Sequence, residues 1–151
     1  MFGFSRKTDY ALLVVTALAR RPQECISVRT LARTHHLPYR FASQIVSDLA
    51  RAQILEVREG VKGGCRFAKD PHAITVADIL RATEKRTALV SCLDSAKHYA
   101  CPQKAWCGAK AGVRLLERDL LGVLRRMTIA DFLRAQSASS LFLSAPHVTR
   151  S

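Results

Sequence analysis

The chain has 151 residues, about the size of one ordinary domain, and a formal net charge of +12 at pH 7. It contains no apolar run of the roughly 20 residues that a membrane span requires, and Asp9 interrupts the short N-terminal run, so we expect neither a membrane helix nor a signal peptide. The odd count of five cysteines fits a reducing cytoplasm better than a disulfide framework. The positive charge favours a polyanion, either nucleic acid or an anionic membrane surface.

The first third of the chain has the pattern of three helices. Apolar residues at three- and four-residue spacing predict a helix over 8–20, with Thr8 as its N-cap and Pro22 just beyond its end. A short helix capped by Ser27 follows, and Pro38 suits the first position of the next helix. A short helix, a tight turn and a second amphipathic helix form the outline of a helix-turn-helix.

The helix predicted over 38–52 has a face suited to nucleic acid. Its polar residues recur at three- and four-residue intervals, opposite an apolar stripe. Arginine, glutamine and serine side chains bind base edges and phosphates. The residues that we expect to contact DNA from this helix are Tyr39, Arg40, Ser43, Gln44, Ser47 and Arg51. Any solvated helix face has a similar pattern, so the pattern alone leaves both interpretations open.

Two short strands around a glycine-rich turn predict a β-hairpin directly after this helix. The strands fall at 54–58 and 65–68. A hairpin in this place is a wing, whose basic residues Arg58, Lys62 and Arg66 we expect against the phosphate backbone or in the minor groove. A phosphate-binding loop is a poor alternative, because the glycines show no Walker pattern and no helix follows them.

The second half predicts three more helices around a cysteine-rich segment. A capping-box-like start at Thr75 opens a helix over 75–84, and an apolar stripe predicts a longer helix over 110–127. Such a stripe needs a partner, and self-pairing is the simplest one. The expected architecture is mainly α with a small β-hairpin. It comprises a winged helix-turn-helix domain over 1–84, a cysteine-rich cluster-binding loop over 85–109, a dimerisation helix with a short terminal helix over 110–134, and a flexible tail over 135–151.

Three of the five cysteines, Cys92, Cys101 and Cys107, lie within sixteen residues. Three thiolates on a loop before a helix can converge on one soft metal centre, and thiolates are the main ligands of iron–sulfur clusters. The spacing matches neither a zinc ribbon nor a zinc finger. Incidental cysteines give the same spacing, and three thiolates with His98 also satisfy a tetrahedral zinc ion.

In this order, the pieces resemble the winged-helix transcription regulators that bind iron–sulfur clusters, the group containing IscR, NsrR and RirA. The resemblance runs from about Phe4 to Leu133. Its marks are Thr8-Asp9-Tyr10-Ala11-Leu12, Lys62-Gly63-Gly64, Lys69-Asp70-Pro71, Leu89-Val90-Ser91-Cys92, the next two cysteines, and Thr128-Ile129-Ala130-Asp131. It implies a homodimer on a palindromic double-stranded DNA operator, with 110–127 as the dimer seam and with 38–51 and the wing reading DNA.

The resemblance also implies that the three clustered cysteines hold a 2Fe–2S or 4Fe–4S cluster. The fourth ligand varies in the family. Some members use a histidine three residues after the last cysteine, where this chain has Lys110; others use an acid in the partner's first helix, where it has Asp9. We therefore expect Asp9 to complete the cluster across the dimer, with His98 as a substitute. Alternatively, Asp9 only complements the dipole of its own helix.

Three departures from the family pattern bear on these expectations. The interval between the first two clustered cysteines is longer than in many relatives, which leaves the cluster type open. Glu59 stands where the wing usually has an arginine, and an acid facing phosphates weakens binding. Cys65 stands where an aromatic or aliphatic residue is usual: it is either a small strand hydrophobe or a redox-sensitive thiol whose thiolate Arg66 favours. Cys25 we interpret as incidental.

These patterns favour a cytoplasmic regulator, acting as a repressor, that senses iron, nitric oxide or redox state. The chain has no dinucleotide fingerprint and no Ser/His/Asp arrangement, so we do not expect an enzyme. Two alternatives stay open. One is a cluster-free winged-helix regulator that depends on thiols or zinc, and the other is a small iron–sulfur redox protein, for which a charge of +12 is unusual.

Overall fold

The computed structural model describes residues 4–60, 63–84, 88–90, 92–93 and 101–143, with side chains as far as Gln136. This part of the chain contains six α-helices and one two-stranded antiparallel hairpin. The helices are α1 (Arg6–Ala19), α2 (Val28–Thr34), α3 (Tyr39–Arg51), α4 (Val76–Thr83), α5 (Lys110–Arg126) and α6 (Ile129–Leu143), and the strands are β1 (Leu55–Arg58) and β2 (Gly64–Phe67). The predicted fold class, mainly α with a small hairpin in a winged helix-turn-helix, is confirmed.

The start of α1 differs from the prediction. Ser5 is the N-cap, and its hydroxyl accepts a hydrogen bond from the Thr8 backbone N–H at 3.3 Å. Thr8 lies inside the helix and is completely buried, with its Oγ1 2.7 Å from Thr83 Oγ1. The prediction of Thr8 as the cap is therefore wrong, because Ser5 is an equally good capping residue and the earlier start places Thr8 against α4. The helix ends at Ala19, before Pro22, as predicted.

The core lies between α1, α3, α4 and the start of α6. The apolar residues at three- and four-residue spacing in α1 and α2 are buried, as are Ile45, Val46 and Leu49 of α3; those of the first two helices are Ala11, Leu12, Val15, Leu18, Ala19, Leu31 and Ala32. Phe41 is only half-buried and packs edge-on against the Tyr10 ring, with 5.5 Å between the ring centroids. Each large aliphatic side chain buried in this way contributes roughly 1.5–3 kcal/mol of transfer free energy. This packing fixes the orientation of α3 and leaves its opposite face in solvent.

The turn between α2 and α3 is tight. Ser27 caps α2 by accepting a hydrogen bond from the Thr30 N–H at 3.0 Å, as predicted. His36 takes a left-handed backbone conformation, with φ of 52°, and the Leu37 N–H donates to the Ala32 carbonyl at 2.8 Å. Pro38 precedes α3 as its N-cap. The chain therefore passes from α2 to α3 within four residues, a turn as short as that of a helix-turn-helix.

The hairpin is anchored to the segment that leads into α2. Its register pairs Leu55 with Phe67 and Arg58 with Gly64. Ile26 forms an isolated bridge with Cys65, through N–H to carbonyl bonds of 3.0 Å and 2.9 Å. A Cβ on Gly64 would lie 2.4 Å from the Ile26 carbonyl oxygen, so only glycine permits this approach. The base of the wing is thus joined to the helix-turn-helix.

The N-termini of α4 and α6 are capped in the same way and lie side by side. Thr75 and Asp78 form a capping box, and Thr128 and Asp131 exchange the equivalent two hydrogen bonds. The caps are joined by the Thr75–Thr128 bridge, in which the Val76 N–H donates to the Met127 carbonyl at 2.9 Å. The two helices therefore enter the core together.

Helix α6 is longer than predicted. A flexible tail is expected from residue 135, but α6 continues to Leu143. The predicted end of the terminal helix at 134 is therefore wrong, because 135–143 has no glycine or proline and contains alanine, glutamine and leucine, which favour helix; the flexibility of the tail stays a prediction. Residues 144–151 lie outside the described residues. Among the helices described, none is long and apolar enough to cross a bilayer.

Candidate DNA-reading face and cysteine segment

The exposed face of α3 carries most of the residues predicted to contact DNA. Arg40, Gln44, Ser47 and Arg51 recur at four- and three-residue steps and are exposed, opposite the fully buried Ile45. Ser43 is half-buried at one edge of this face, and Tyr39 is exposed at the start of the helix. The structure therefore brings these side chains onto one accessible surface, which we call the α3 face.

A residue that the sequence analysis missed borders the α3 face. Asp48 is only 6% exposed, and its Oδ1 accepts a hydrogen bond from Gln44 Nε2 at 3.1 Å and lies 3.2 Å from Arg51 Nη1. Lys7 of α1 pairs with its Oδ2. The spacing of Gln44, Asp48 and Arg51 (i, i+4, i+7) was the sequence signal for this cluster.

The two arginines described in the wing differ in accessibility. Arg58 is 62% exposed, whereas Arg66 is 31% exposed and pairs with the Glu56 carboxylate. Arg58 Nε also lies 3.9 Å from Glu56 Oε1, so one acid partly neutralises both. Glu59 is exposed. Lys62, the third predicted contact, lies outside the described residues. Arg58 is thus the wing cation best placed, among those described, to meet a phosphate.

Cys65 is a protonated, buried thiol. It is fully buried and its Sγ lies 3.5 Å from the Ile26 carbonyl oxygen. Burial raises the pKa of the Cys65 thiol to about 12; the nearby Cys25 thiol also raises this pKa, and a backbone hydrogen bond opposes the rise. The adjacent Arg66 pairs with Glu56 instead. The thiolate alternative is therefore wrong, and the small-hydrophobe interpretation fits the position.

The three clustered cysteines are free thiols with different accessibility. Cys92 and Cys107 are exposed and Cys101 is half-buried. Trp106, which directly precedes Cys107 in the sequence, is 88% exposed. Within the residues that the structure describes, no three His, Cys, Asp or Glu side chains form a group able to hold a metal ion. His98 lies outside those residues. The donor set suits a soft metal centre in its chemistry, since its thiols are not in disulfides and two of them are exposed, but the described residues of one chain do not preassemble it.

Two contacts hold the chain just before residues 92–107, which we call the cysteine segment. At the end of α4, the Glu84 carboxylate accepts hydrogen bonds from the Ser5 N–H and the Thr8 hydroxyl of α1. Partial burial alone would raise the pKa of Glu84, but these hydrogen bonds outweigh burial and the net pKa is lowered. Further on, the Leu89 N–H donates to Glu117 of α5 at 2.9 Å. The segment therefore begins in contact with both α1 and α5.

Asp9 follows Thr8 in the first turn of α1. Its side chain is exposed and, within the described residues, has neither a hydrogen-bond nor an ion-pair partner. A carboxylate at this position also complements the helix dipole, so both interpretations of Asp9 fit its placement.

Helix α5 is exposed along one apolar strip. No α5 residue is buried. Of the predicted stripe, Val113, Leu120 and Leu124 are half-buried. Leu116, Val123 and Met127 are exposed, at 54%, 49% and 43%. We call these three residues the α5 strip.

A helix-turn-helix followed at once by a hairpin anchored to it defines the chain as a winged-helix protein. The family model that matches residues 4–135 is described as "Rrf2: Iron-dependent Transcriptional regulator". The chain belongs to the Rrf2 family of transcriptional regulators, and DNA binding is the activity that this membership supports.

Relatives of the chain bear regulator names. It is 29% identical to the HTH-type transcriptional regulator NsrR of Bacillus subtilis over 128 residues, which is 84% of this chain and 87% of that one. Its structure is similar to that of CymR (YrzC), the global cysteine regulator of B. subtilis, with a TM-score of 0.70, 26% identity and coverage of 89% of this chain and 98% of that one. The fold also matches T. potens IscR, with a TM-score of 0.70, 19% identity and coverage of 99% and 94%.

Proposed function

We propose that the protein is a cytoplasmic, dimeric transcriptional repressor whose affinity for a palindromic operator depends on an iron–sulfur cluster. The observation that carries this proposal is the cysteine segment: three free thiols follow a stretch anchored to both α1 and α5, in a member of a family described as iron-dependent regulators. The cluster would respond to iron supply, nitric oxide or redox stress.

In this proposal, the α3 face and the wing read the operator. Arg40, Gln44 and Ser47 lie at the centre of an accessible helical surface of the kind that enters the major groove. Arg58 binds a phosphate beside it, and Lys62 belongs to the same wing. The net charge of +12 supplies the electrostatic attraction to DNA.

The α5 strip supports a homodimer. Three large apolar side chains, two on α5 and one at its C-cap, are exposed in the single chain, and a second copy of α5 is the simplest way to cover them. A two-fold dimer binds two half-sites at a fixed separation, which matches a palindromic operator.

Cys92, Cys101 and Cys107 are the proposed cluster ligands, and Asp9 of the second copy is the proposed fourth. A bound cluster supplies an iron centre sensitive to oxidation and to nitric oxide. Glu84 and Glu117 anchor the chain ahead of Cys92, so a rearrangement of the segment reaches α1 through Glu84 and α5 through Glu117. Because α5 is the proposed seam, its displacement changes the separation of the two α3 faces.

An anaerobic absorption spectrum with iron and sulfide assays on freshly purified protein tests the cluster. We expect a visible charge-transfer band that is lost in Cys92→Ala and kept in Cys25→Ala, a matched control outside the segment. A protein that stays colourless after reconstitution with iron and sulfide contradicts the proposed ligands.

A second candidate function is a winged-helix regulator without a cluster, working through thiol oxidation or zinc. It is favoured by the similarity to the structure of CymR, the global cysteine regulator of B. subtilis. Zinc analysis and mass spectrometry of the purified protein distinguish the two candidates. One zinc per chain, or a peroxide-induced disulfide among these cysteines, would favour this candidate.

A further inference from the structure

Asp48 is a buried carboxylate at the edge of an exposed polar face. Its Oδ1 faces Gln44 and Arg51, both on its own helix, and its Oδ2 faces Lys7 of α1. Oδ2 accepts no hydrogen bond of regular geometry within the described residues, and the Lys7 ammonium offsets its charge instead.

A buried carboxylate is a costly way to join two helices. Burying a charge is unfavourable unless it is paired, and an apolar side chain of similar size gives equal or greater stability. The neighbouring core positions of α3 are apolar. The arrangement around Asp48 therefore points to a role in orientation rather than in stability.

The chemistry of the contact fixes the direction of the Gln44 amide. An ionised carboxylate only accepts hydrogen bonds, so the Gln44 NH₂ group must face Asp48 and its carbonyl oxygen must face away. One N–H of that NH₂ group stays available beside the oxygen. The outward oxygen and the N–H beside it match adenine, which presents one donor and one acceptor in the major groove. The Gln44 oxygen alone matches the single donor of cytosine.

We propose that Asp48 is a positioning residue for sequence readout: it holds the Gln44 amide in one orientation and restrains Arg51 on the same face. The inference rests on the proposed reading of DNA by α3. Asp48 itself does not contact the bases. It selects which hydrogen-bonding pattern Gln44 presents to them.

The test compares sequence preference between variants. Selection from a library of random duplexes gives the operator of the unmodified protein, and Gln44→Ala identifies the base pair that Gln44 reads. Asp48→Asn keeps the side-chain size but lets the Gln44 amide turn over, because asparagine both donates and accepts. We expect the preference at that base pair to fall about 10-fold, the typical value of one good base contact.

Two controls separate positioning from charge and from folding. Glu24→Gln removes one negative charge from an exposed pair with Arg21. It therefore measures how much the loss of one acid strengthens binding to every duplex, with no change expected in base preference. In a double-variant cycle, Asp48→Asn is expected to add nothing to Gln44→Ala at the identified base pair. The side-chain amide of Gln44 in the unmodified protein, observed by nuclear magnetic resonance, is expected to show one proton protected from exchange with water.

Each outcome bears on the inference. The inference is overturned if the Asp48→Asn protein binds all duplexes more tightly and keeps its base preference. If Asp48→Asn does not fold, the inference is overturned when the Gln44 amide protons of the unmodified protein exchange freely with water. An additive double variant also overturns it. If the unmodified protein selects no operator, the proposed function itself fails, and this result is distinct from a selected operator whose preference Asp48→Asn leaves unchanged.

Discussion

At the scale of single residues, burial divides the five cysteines into different chemical classes. Cys65 is fully buried with a pKa raised by burial to about 12, whereas Cys92 and Cys107 are exposed. Since only the thiolate is a good nucleophile, the chain has one thiol that is chemically silent in the folded state and at least two that are accessible. Neither distance along the sequence nor a neighbouring arginine predicts this division.

This division predicts the order of alkylation. In metal-free protein treated with iodoacetamide at pH 8, Cys92 and Cys107 are expected to react first, and Cys65 only after denaturant is added. Peptide mapping by mass spectrometry measures the rates. Modification of Cys65 in the folded protein at the rate of Cys107 would contradict its buried, protonated state.

The hydrogen bonds to Glu84 predict a dependence of stability on pH. Because the folded-state pKa of Glu84 lies below its ordinary value of 4.5, its ionised form stabilises the fold fully above that value, and this contribution is lost as the pH falls through the lowered pKa. Glu84→Gln is therefore expected to cost about 1 kcal/mol at pH 7 and progressively less in acid.

Urea unfolding of both proteins between pH 3 and pH 7 measures this difference. Glu24→Gln, at an exposed pair, is the control and is expected to change the unfolding free energy little at any pH. A Glu84→Gln difference that stays constant across this range would contradict the role given to the ionised carboxylate.

At the scale of elements, the paired caps of α4 and α6 are expected to contribute measurably to stability. Thr75→Ala removes the hydroxyl that accepts a hydrogen bond from the Asp78 N–H at 3.2 Å, so it is expected to destabilise the fold by about 1 kcal/mol in urea unfolding. Thr34→Ala, at an exposed position at the end of α2, is the matched control. Equal effects of the two substitutions would show that the cap contributes nothing.

The elements themselves were predictable to the extent that their signals are local. The apolar periodicity, the Ser27 cap and the glycine-rich turn are all short-range features, and they predicted α2, α3 and the hairpin correctly. The start of α1 was not predictable in this way, since Ser5 and Thr8 are both capable caps and only packing against Thr83 decides between them. The Lys7–Asp48 pair joins two helices and has no local signal either.

At the scale of the whole molecule, the α5 strip predicts the assembly state. Leu116→Arg is expected to convert a dimer to a monomer, because it places a charge in the proposed seam. Leu115→Arg is the matched control. Leu115 is also exposed, at 50%, but it is rotated by about 100° around the helix axis from Leu116. Sedimentation equilibrium measures the mass, and a Leu116→Arg protein that stays dimeric would move the interface elsewhere.

The candidate cluster site illustrates what a single sequence predicts least well. The three cysteines and their order are visible in the sequence, but their convergence depends on the fold of the segment and, in the proposal, on Asp9 of a second copy. Within the described residues, one chain forms no such group. A site shared between two chains is a property of the assembly, which no local pattern contains.

The coupling between the cluster and DNA binding is tested most directly by the affinity of the protein for its selected operator, measured anaerobically with and without the cluster. The comparison uses the same preparation before and after removal of iron, at one fixed salt concentration, because binding to DNA depends strongly on salt. We expect the two affinities to differ by at least about fivefold, the lower end of typical coupling between two sites. Equal affinity of the two forms would contradict the coupling.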